Sequence, residues 1–360
     1  MARPTRAIIN LQALRHNYQL AQTLAGAGRA MPIVKANAYG HGAINVARAL
    51  EPKVPALGVA CIEEAVELRD AGIRKPILLL EGFFSEEELA VAATQNFWLM
   101  VQNEWQLDAI CRPHRGKPVV AWLKIDTGMH RLGFQPEQAA DIYQKLQSSP
   151  QVADEIVLAT HFASADDLHS DFTTRQIELF QQCTRGIAAP CSLANSPGLL
   201  GWPEARAEWN RPGFMLYGHS PFTEPHPEAE KLKAVMTFRS EVMAVRDLSI
   251  GESVGYANTW TAQRPSRIAT VPVGYGDGYP RRAENSTPVL INGQRAKLVG
   301  RVSMDMITVD VTELDPVNIG DEVILWGENL SANEVAVCAD TIGYEIMTRV
   351  HNRVPRITTQ

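Results

Sequence analysis

The 360-residue sequence lacks the features that would direct it to a nucleic acid or a membrane. It has no excess of positive charge, because 34 Lys and Arg stand against 40 Asp and Glu, giving a formal net charge of -6. No uninterrupted apolar stretch is long enough to span a bilayer, and the N-terminal segment has no apolar signal core. We therefore expect a cytoplasmic protein with a small-molecule ligand and neither a nucleic-acid nor a membrane partner.

Cysteine is also scarce. Five cysteines occur without paired spacing, at Cys61, Cys111, Cys183, Cys191 and Cys338. This pattern argues against a disulfide framework and against a cysteine metal cluster, and it favours reduced, buried thiols. His41 and His130 have no ligand-type neighbour at metal spacing, so we interpret them as ordinary surface or loop histidines and expect no metal site.

From residue 31 to about residue 217, short apolar runs alternate with amphipathic helical stretches, the pattern of repeated βα units. The predicted strands are Pro32–Ala36, Leu57–Ala60, Ile77–Leu80, Trp98–Val101, Val119–Ile125, Ile156–Thr160, Cys191–Ala194 and Phe214–Tyr217. Eight such units predict an α/β fold with a (β/α)8 TIM-type barrel. Because Arg211-Pro212-Gly213 interrupts the start of the last strand, a count of seven is the alternative.

A mainly-β C-terminal domain is predicted beyond the polar connector Pro221–Lys231. Its strands are Val235–Val245, Ile268–Val273, Val289–Ile291, Ala296–Val302, Met306–Val311 and Val323–Trp326, with a hairpin turn at Asn292-Gly293 and one helix at Ala332–Ile342. We expect the barrel over residues 10–228 and the β domain over 229–360. The first extended segment, Arg6–Leu11, has no place in an eight-strand barrel, so its residues 5–9 are a candidate strand of the β domain.

Polar and ionisable side chains cluster at the predicted carboxyl ends of the barrel strands, where barrel enzymes hold their chemistry. These residues are Lys35, Lys124, Asp126, His161 and the pair Asn195-Ser196, with Arg211 just before strand eight. A lone lysine there is usually a solvated charge. Lys35, however, is followed by a small-residue, glycine-rich loop that enters a helix at Ala43, which is a backbone arrangement that favours an anion. A lysine beside a phosphate site suggests a Schiff-base cofactor.

Residues 33–42, Ile-Val-Lys-Ala-Asn-Ala-Tyr-Gly-His-Gly, closely resemble the pyridoxal-phosphate attachment motif of bacterial alanine racemases. The resemblance extends over essentially the whole chain, in seven further blocks that come in order at spacing similar to the family's. The blocks are residues 123–133, 160–163, 194–196, 211–213, 254–256, 274–279 and 300–306.

This resemblance implies a pyridoxal 5'-phosphate-dependent alanine racemase that interconverts L- and D-alanine, either for D-alanine biosynthesis and peptidoglycan or for alanine catabolism. It implies Lys35 and Tyr256 as the two catalytic acid/base groups. The implied cofactor contacts are Lys35, Tyr39, Arg131, His161, Asn195, Ser196, Arg211, Gly213, Phe214 and Tyr344. The implied substrate contacts are Arg131 and Met304, the entrance gate is Tyr275 and Tyr344, and Lys124 is a carbamylated lysine that positions Arg131. The alternative for Lys124 is a plain salt bridge with Asp126 or Arg131.

The required chemistry gives independent reasons for these residue types. Racemisation needs a proton to leave one face of the substrate and arrive at the other, which two opposed bases achieve. Tyr256 needs a neighbour that favours its phenolate, and His161 and Arg131 are candidates. Arg211 cannot accept a proton from the pyridine nitrogen, which disfavours transamination. The resemblance further implies a homodimer in which Tyr256 of one subunit faces Lys35 of the other.

Three alternatives are open to the sequence. A barrel-type amino-acid decarboxylase that uses the same cofactor is similar in architecture, but it has a glutamate at the pyridine nitrogen where this chain has Arg211. A non-catalytic carrier of pyridoxal phosphate would consist of the barrel alone, without the β domain that bears Tyr256. A racemase for serine, lysine or another amino acid would share the same motifs.

Overall fold

The computed structural model describes residues 3–360, and none of the helices in this part of the chain is long and apolar enough to cross a membrane. An eight-stranded parallel barrel is followed by an open β sheet. The first nine strands are β1 Arg6–Asn10, β2 Arg29–Ala30, β3 Leu57–Val59, β4 Ile77–Leu79, β5 Phe97–Val101, β6 Val119–Lys124, β7 Val152–Ala159, β8 Cys191–Ser192 and β9 Trp209–Asn210. The helices among them are α1 Leu11–Ala25, α2 Lys35–Tyr39, α3 Ala43–Leu50, α4 Ile62–Asp70, α5 Glu86–Gln95, α6 Glu104–Cys111, α7 Ala139–Ser148, α8 Phe172–Cys183 and α9 Ser196–Gly201.

Strands β2 to β9 form the barrel, which confirms the predicted fold class. Strands β3 to β8 pair in order as a parallel ladder, and β9 pairs in parallel with β2. The ring is completed by a bridge between Ile33 and Gly58 and by a hydrogen bond from the N–H of Arg211 to the carbonyl of Ala194. Trp98, Trp122 and Trp209 pack together with ring centroids 5.4–6.3 Å apart.

Two barrel strands lie earlier in the chain than the sequence predicts. The predicted eighth strand, Phe214–Tyr217, is wrong: these residues form a 3-10 helix, and the strand is β9. Pro212 has no N–H for a sheet, so the chain leaves the ladder after Asn210. Arg211 therefore follows its strand, as the other ionisable side chains do. In the same way, the first strand is Arg29–Ala30 rather than Pro32–Ala36.

The second domain is mainly β, as predicted. Its elements are β10 Met236–Glu241, β11 Ala244–Leu248, β12 Ser253–Val254, β13 Trp260–Thr261, β14 Ser266–Val271, β15 Pro288–Ile291, β16 Gln294–Leu298, β17 Ile307–Asp310, β18 Glu322–Trp326, α10 Ala332–Val337, α11 Gly343–Thr348 and β19 Arg356–Thr359. The large sheet has the order β11-β14-β17-β16-β15-β18-β10-β1-β19, while β12 and β13 form a separate hairpin. The strands of this domain pair antiparallel, as β1 does with β10, except for β1 with β19, which are parallel.

Three further local predictions, two in the second domain and one in the barrel, can be compared with the structure. Asn292 and Gly293 have φ of 48° and 80° between paired strands, which confirms the hairpin turn. The helix predicted to reach Ile342 ends at Val337, and α11 is a separate helix. His41 is not at the surface but fully buried, with its Nδ1 against the carbonyl of Tyr39 at 2.9 Å.

Candidate active site

A cavity of about 970 Å³ opens at the carboxyl end of the barrel strands. It brings together most of the residues that the sequence nominated, although these are spread over more than 300 positions of the chain. Its walls include Lys35, Tyr39, Lys124, Arg131, His161, Asn195, Ser196, Arg211, Gly213, Phe214 and Tyr344. The cavity is therefore the candidate active site.

Lys35 enters this cavity from an unusual backbone. The four residues that follow it, Ala36 to Tyr39, all have φ between 51° and 54°, so they form a turn of left-handed helix without a single glycine. Such a conformation costs roughly 1–2 kcal/mol per residue for L-amino acids. The turn ends at Gly40, where an added Cβ would lie 2.0 Å from the carbonyl oxygen of Met347. The surrounding fold therefore holds Lys35 and Tyr39 in a conformation that the local sequence does not favour.

One end of the cavity is suited to a phosphate. Tyr39 and Ser196 contribute hydroxyl groups, and Phe214 opens a 3-10 helix, so its N–H has no intrahelical partner. Gly213 allows a close approach of the backbone, because a Cβ there would lie 2.6 Å from the Tyr39 Oη. The ring of Tyr344 stacks on that of Phe214 with centroids 3.6 Å apart. A phosphate-bearing cofactor therefore fits the hydroxyl and N–H groups at this end.

Arg211 lies in another wall of the same cavity and is only 5% exposed. Its Nη1 donates to the carbonyl and hydroxyl of Ser192, and its Nη2 donates to the carbonyls of Thr160 and Leu193. Within residues 3–360 the Nε makes no hydrogen bond. Burial lowers the pKa of Arg211 to about 10, so the guanidinium is still charged at neutral pH. These hydrogen bonds fix the Arg211 cation beside the cavity and leave its Nε–H as the remaining donor.

Several cations share this site, and they change one another's protonation. Burial, followed by the charges of Arg211 and Arg131, holds the pKa of Lys124 well below its ordinary value. Burial and the same group of cations also depress the pKa of His161. Asp126 raises the pKa of Lys124 but is the smallest of these influences, and its carboxylate accepts hydrogen bonds from the N–H groups of Gly128 and His130. Burial and mutual repulsion among these cations therefore disfavour the protonated forms of Lys124 and His161.

Three residues that the motif blocks nominated lie outside the cavity. Tyr256, Tyr275 and Met304 are all on the β domain and are 72%, 39% and 53% exposed. Tyr275 and Met304 occupy adjoining loops, because the N–H of Gly276 donates to the carbonyl of Met304 at 2.8 Å. Tyr256 follows β12 in the small hairpin. One copy of the chain thus displays these side chains on its surface and does not place them opposite Lys35.

The sequence reasoning missed some of the cavity wall. Phe84 and Trp105 are 65% and 46% exposed and line its outer part, while Glu81 faces Lys35. All three follow the carboxyl end of a barrel strand or lie at the start of the next helix. Their position near strand ends was the available signal for these cavity residues. Their residue types are too common on protein surfaces to be recognised as part of a site.

The fold and this site define a barrel enzyme whose cavity combines a lysine with an end lined by hydroxyl and N–H groups. The chain belongs to the alanine racemase family. The model of the alanine racemase N-terminal domain matches residues 9–221, and that of the alanine racemase C-terminal domain matches residues 235–358.

Relatives of both metabolic types resemble the chain over its whole length. A catabolic alanine racemase of Pseudomonas putida is 52% identical over 98% of this chain and 98% of its own. The biosynthetic alanine racemase of Pseudomonas aeruginosa has a structure with a TM-score of 0.96 and 44% identity, covering 99% of this chain and 100% of that one. The enzyme from Bartonella henselae, with covalently bound pyridoxal phosphate, gives a TM-score of 0.90 and 29% identity, with 99% of both chains covered.

Proposed function

We propose that this chain is a pyridoxal 5'-phosphate-dependent alanine racemase that interconverts L- and D-alanine. The observation that carries the proposal is the single cavity that places Lys35 with a phosphate-type end and with the guanidinium of Arg211. The family membership supports the same conclusion. When bound, pyridoxal phosphate withdraws electrons from the substrate Cα and so acidifies its C–H bond.

The proposed function assigns proton transfer and phosphate binding to individual residues. Lys35 attaches the cofactor and exchanges a proton with the substrate Cα on one face, and burial lowers its pKa, which favours the free amine that this task requires. Tyr256 exchanges a proton on the opposite face, and His161, whose lowered pKa favours the neutral ring, is its hydrogen-bond partner. Tyr39, Ser196 and the N–H groups of Gly213 and Phe214 hold the phosphate. Asn195 supports this end by capping α9, since its Oδ1 accepts from the N–H of Gly198.

Arg131 and the N–H of Met304 bind the substrate carboxylate. We propose that Lys124 carries a carbamate which orients Arg131, because a lysine whose pKa is strongly lowered presents the neutral amine that reacts with carbon dioxide. A high-resolution crystal structure would show a branched terminal group on Lys124 within hydrogen-bonding range of Arg131. A bare ammonium group there would contradict the carbamate.

We further propose that two chains share each active site. Tyr256, Met304 and the gate residue Tyr275 are exposed on one face of the β domain, while the cavity rim of the barrel exposes Phe84 and Trp105. Exposed apolar groups of this kind mark interaction surfaces. In a two-fold dimer the β domain of each copy would cover the other's cavity, and Tyr275 with Tyr344 would form the entrance.

A coupled assay for D-isomer formation over a panel of L-amino acids tests this function. We expect alanine to be the preferred substrate by a wide margin over serine and lysine. Lys35→Ala should lose the visible absorbance of the bound cofactor and several orders of magnitude of activity, since attachment and one base are lost together. Lys53→Ala, on an exposed residue, is the matched control. A substrate preference other than alanine would overturn the assignment.

A further inference from the structure

One carboxylate outside the family motif blocks connects the first two strands of the barrel at the active-site end. Glu64, in the first turn of α4, accepts a hydrogen bond at Oε1 from the N–H of Ala36, at 2.6 Å. Its Oε2 accepts another from the N–H of Ala60, at 2.8 Å. Ala36 follows Lys35 directly, and Ala60 follows β3. The two carboxylate oxygens of Glu64 therefore link the turn that follows Lys35 with the end of the neighbouring strand β3.

The turn needs such a partner. Its left-handed conformation is intrinsically unfavourable, and the N–H of Ala36 lies at its first turn, where a helical amide has no intrahelical acceptor. A carboxylate that binds two backbone N–H groups makes charge-assisted hydrogen bonds, which are about twice as strong as neutral ones. The position of Glu64 in the first turn of α4 also suits a negative charge.

We propose that Glu64 is a positioning residue of the active site, which fixes the direction of Lys35 by binding the N–H groups of Ala36 and Ala60. This inference rests on the proposed role of Lys35. Glu64 does not line the cavity, so it acts on the reaction only through the backbone and the charge it presents to Lys35.

The charged groups that face Lys35 make the electrostatic part of this role measurable. Burial and then the charge of Arg131 lower the pKa of Lys35, whereas Glu81 and Glu64 raise it. His161 lines the same cavity. Removing the charge of Glu64 should therefore lower the pKa of Lys35 further. Shortening the side chain without removing its charge should leave this pKa closer to that of the wild type.

The experiment compares Glu64→Gln, which keeps the length, with Glu64→Asp, which keeps the charge. Glu63→Gln is the matched control, because Glu63 is exposed in the same first turn. Hydrogen exchange of the segment 34–42 is measured in the cofactor-loaded enzyme, together with kcat, KM and the pH profile of kcat, which reports the substrate complex in which Lys35 is released from the cofactor. We expect exchange at least roughly tenfold faster in both Glu64 variants, from the loss of a hydrogen bond to a charged group. We expect kcat to fall at least tenfold while KM changes little.

In the pH profile of kcat, the limb that reports the pKa of Lys35 should shift to lower pH in Glu64→Gln. The shift should be smaller in Glu64→Asp. If both Glu64 variants matched Glu63→Gln in exchange and kcat, the inference would be wrong. A loss of thermal stability with normal kcat and an unshifted profile would also overturn it, since that is a purely structural role.

Borohydride reduction and peptide mapping of the wild type separate a failure of this inference from a failure of the proposed function. A label on another lysine would overturn the proposed function and this inference with it, whereas a label on Lys35 with inert Glu64 variants would overturn this inference alone.

Discussion

At the scale of single residues, the feature that would decide the reaction type under the proposed function is the cation in the cavity wall. Arg211 is held by four hydrogen bonds to Thr160, Ser192 and Leu193, so its position does not depend on a ligand. An arginine beside the pyridine nitrogen keeps that nitrogen unprotonated and limits how far electrons are withdrawn into the ring. Return of the proton to the substrate Cα is then favoured over transamination.

Arg211→Glu should shift the enzyme from racemisation towards transamination, because the ring nitrogen could then hold a proton. The measurement is the ratio of pyruvate to D-alanine formed from L-alanine, which should rise at least tenfold while the cofactor remains bound. Arg185→Glu, on an exposed helix-end residue, controls for the charge change itself. An unchanged ratio would exclude Arg211 as the partner of the nitrogen.

Two buried histidines behind the phosphate end make the fold sensitive to acid. Burial lowers the pKa of His41 to about 3 and that of His219 to about 4, and the Nε2 of each has no partner within residues 3–360. In the unfolded chain both titrate near the ordinary value of about 6.5. Between these pH values the unfolded state binds more protons, so the contribution to stability is complete above pH 6.5 and is lost as the pH falls towards 4.

The free energy of unfolding should therefore fall between pH 7.5 and pH 5, with a share of up to about 2 kcal/mol from His219 alone. Urea unfolding of the wild type and of His219→Gln at both pH values measures this share as the difference between their pH dependences. His16→Gln, on an exposed histidine, should keep the slope of the wild type. A His219→Gln variant that also keeps that slope would refute the assignment.

At the scale of elements, the left-handed turn Ala36–Tyr39 is the part of the fold furthest from local preference. It is held from three sides, by Glu64 at its start, by Met347 packed against Gly40, and by Arg356, whose Nε donates to the carbonyl of Gly40 at 3.0 Å. Strain of this kind persists only where the surrounding structure imposes it. The turn is thus stabilised by contacts that are remote in sequence.

Ala36→Gly should stabilise the protein by roughly 0.5–1 kcal/mol, since glycine removes the left-handed penalty and this gain exceeds its entropic cost in the unfolded chain. Ala49→Gly, in the right-handed helix α3, should instead destabilise by a similar amount. Denaturant unfolding of both variants measures whether the free energy of unfolding rises or falls in each. Destabilisation of equal size in both would show that the turn of Ala36 carries no strain.

The sequence predicted the barrel, the β domain and the polar residues at the strand ends because hydrophobic periodicity and strand-end positions are local signals. The other cavity residues, among them Tyr39, Arg131 and Tyr344, were predicted only by the resemblance to a family. It did not predict the left-handed turn, since Ala36, Asn37 and Ala38 have no intrinsic preference for that conformation. It misplaced the eighth strand because β9 has only two residues and is defined by its pairing with β2. Glu64 was missed for the same reason, as its partner Ala36 is 28 positions away.

At the scale of the whole molecule, the proposed active site is divided between two copies of the chain. Lys35 lies in the barrel cavity, and Tyr256 is exposed on the β domain outside it. An isologous dimer would create two equivalent sites from the same pair of surfaces. Neither copy alone would then contain both bases.

Mixing Lys35→Ala chains with Tyr256→Phe chains therefore tests the architecture directly. After reassortment about half of the dimers should be mixed, each with one intact and one doubly altered site, so roughly a quarter of wild-type activity should return. Each variant reassorted with itself is the control and should stay inactive. If the two bases came from one chain, every site would carry a lesion and mixing would restore nothing.

The hydrogen bond between Arg356 and Gly40 spans 316 positions, which has a consequence for the timing of synthesis. A ribosome adds roughly 5–20 residues per second, so about 16–60 s pass between the synthesis of the lysine turn and that of the strand that secures it. During most of this interval the nascent barrel can form, but its turn lacks two of its three holding contacts, those of Met347 and Arg356. If Lys35 attaches the cofactor as proposed, its amine is therefore available for that attachment before its final orientation is fixed.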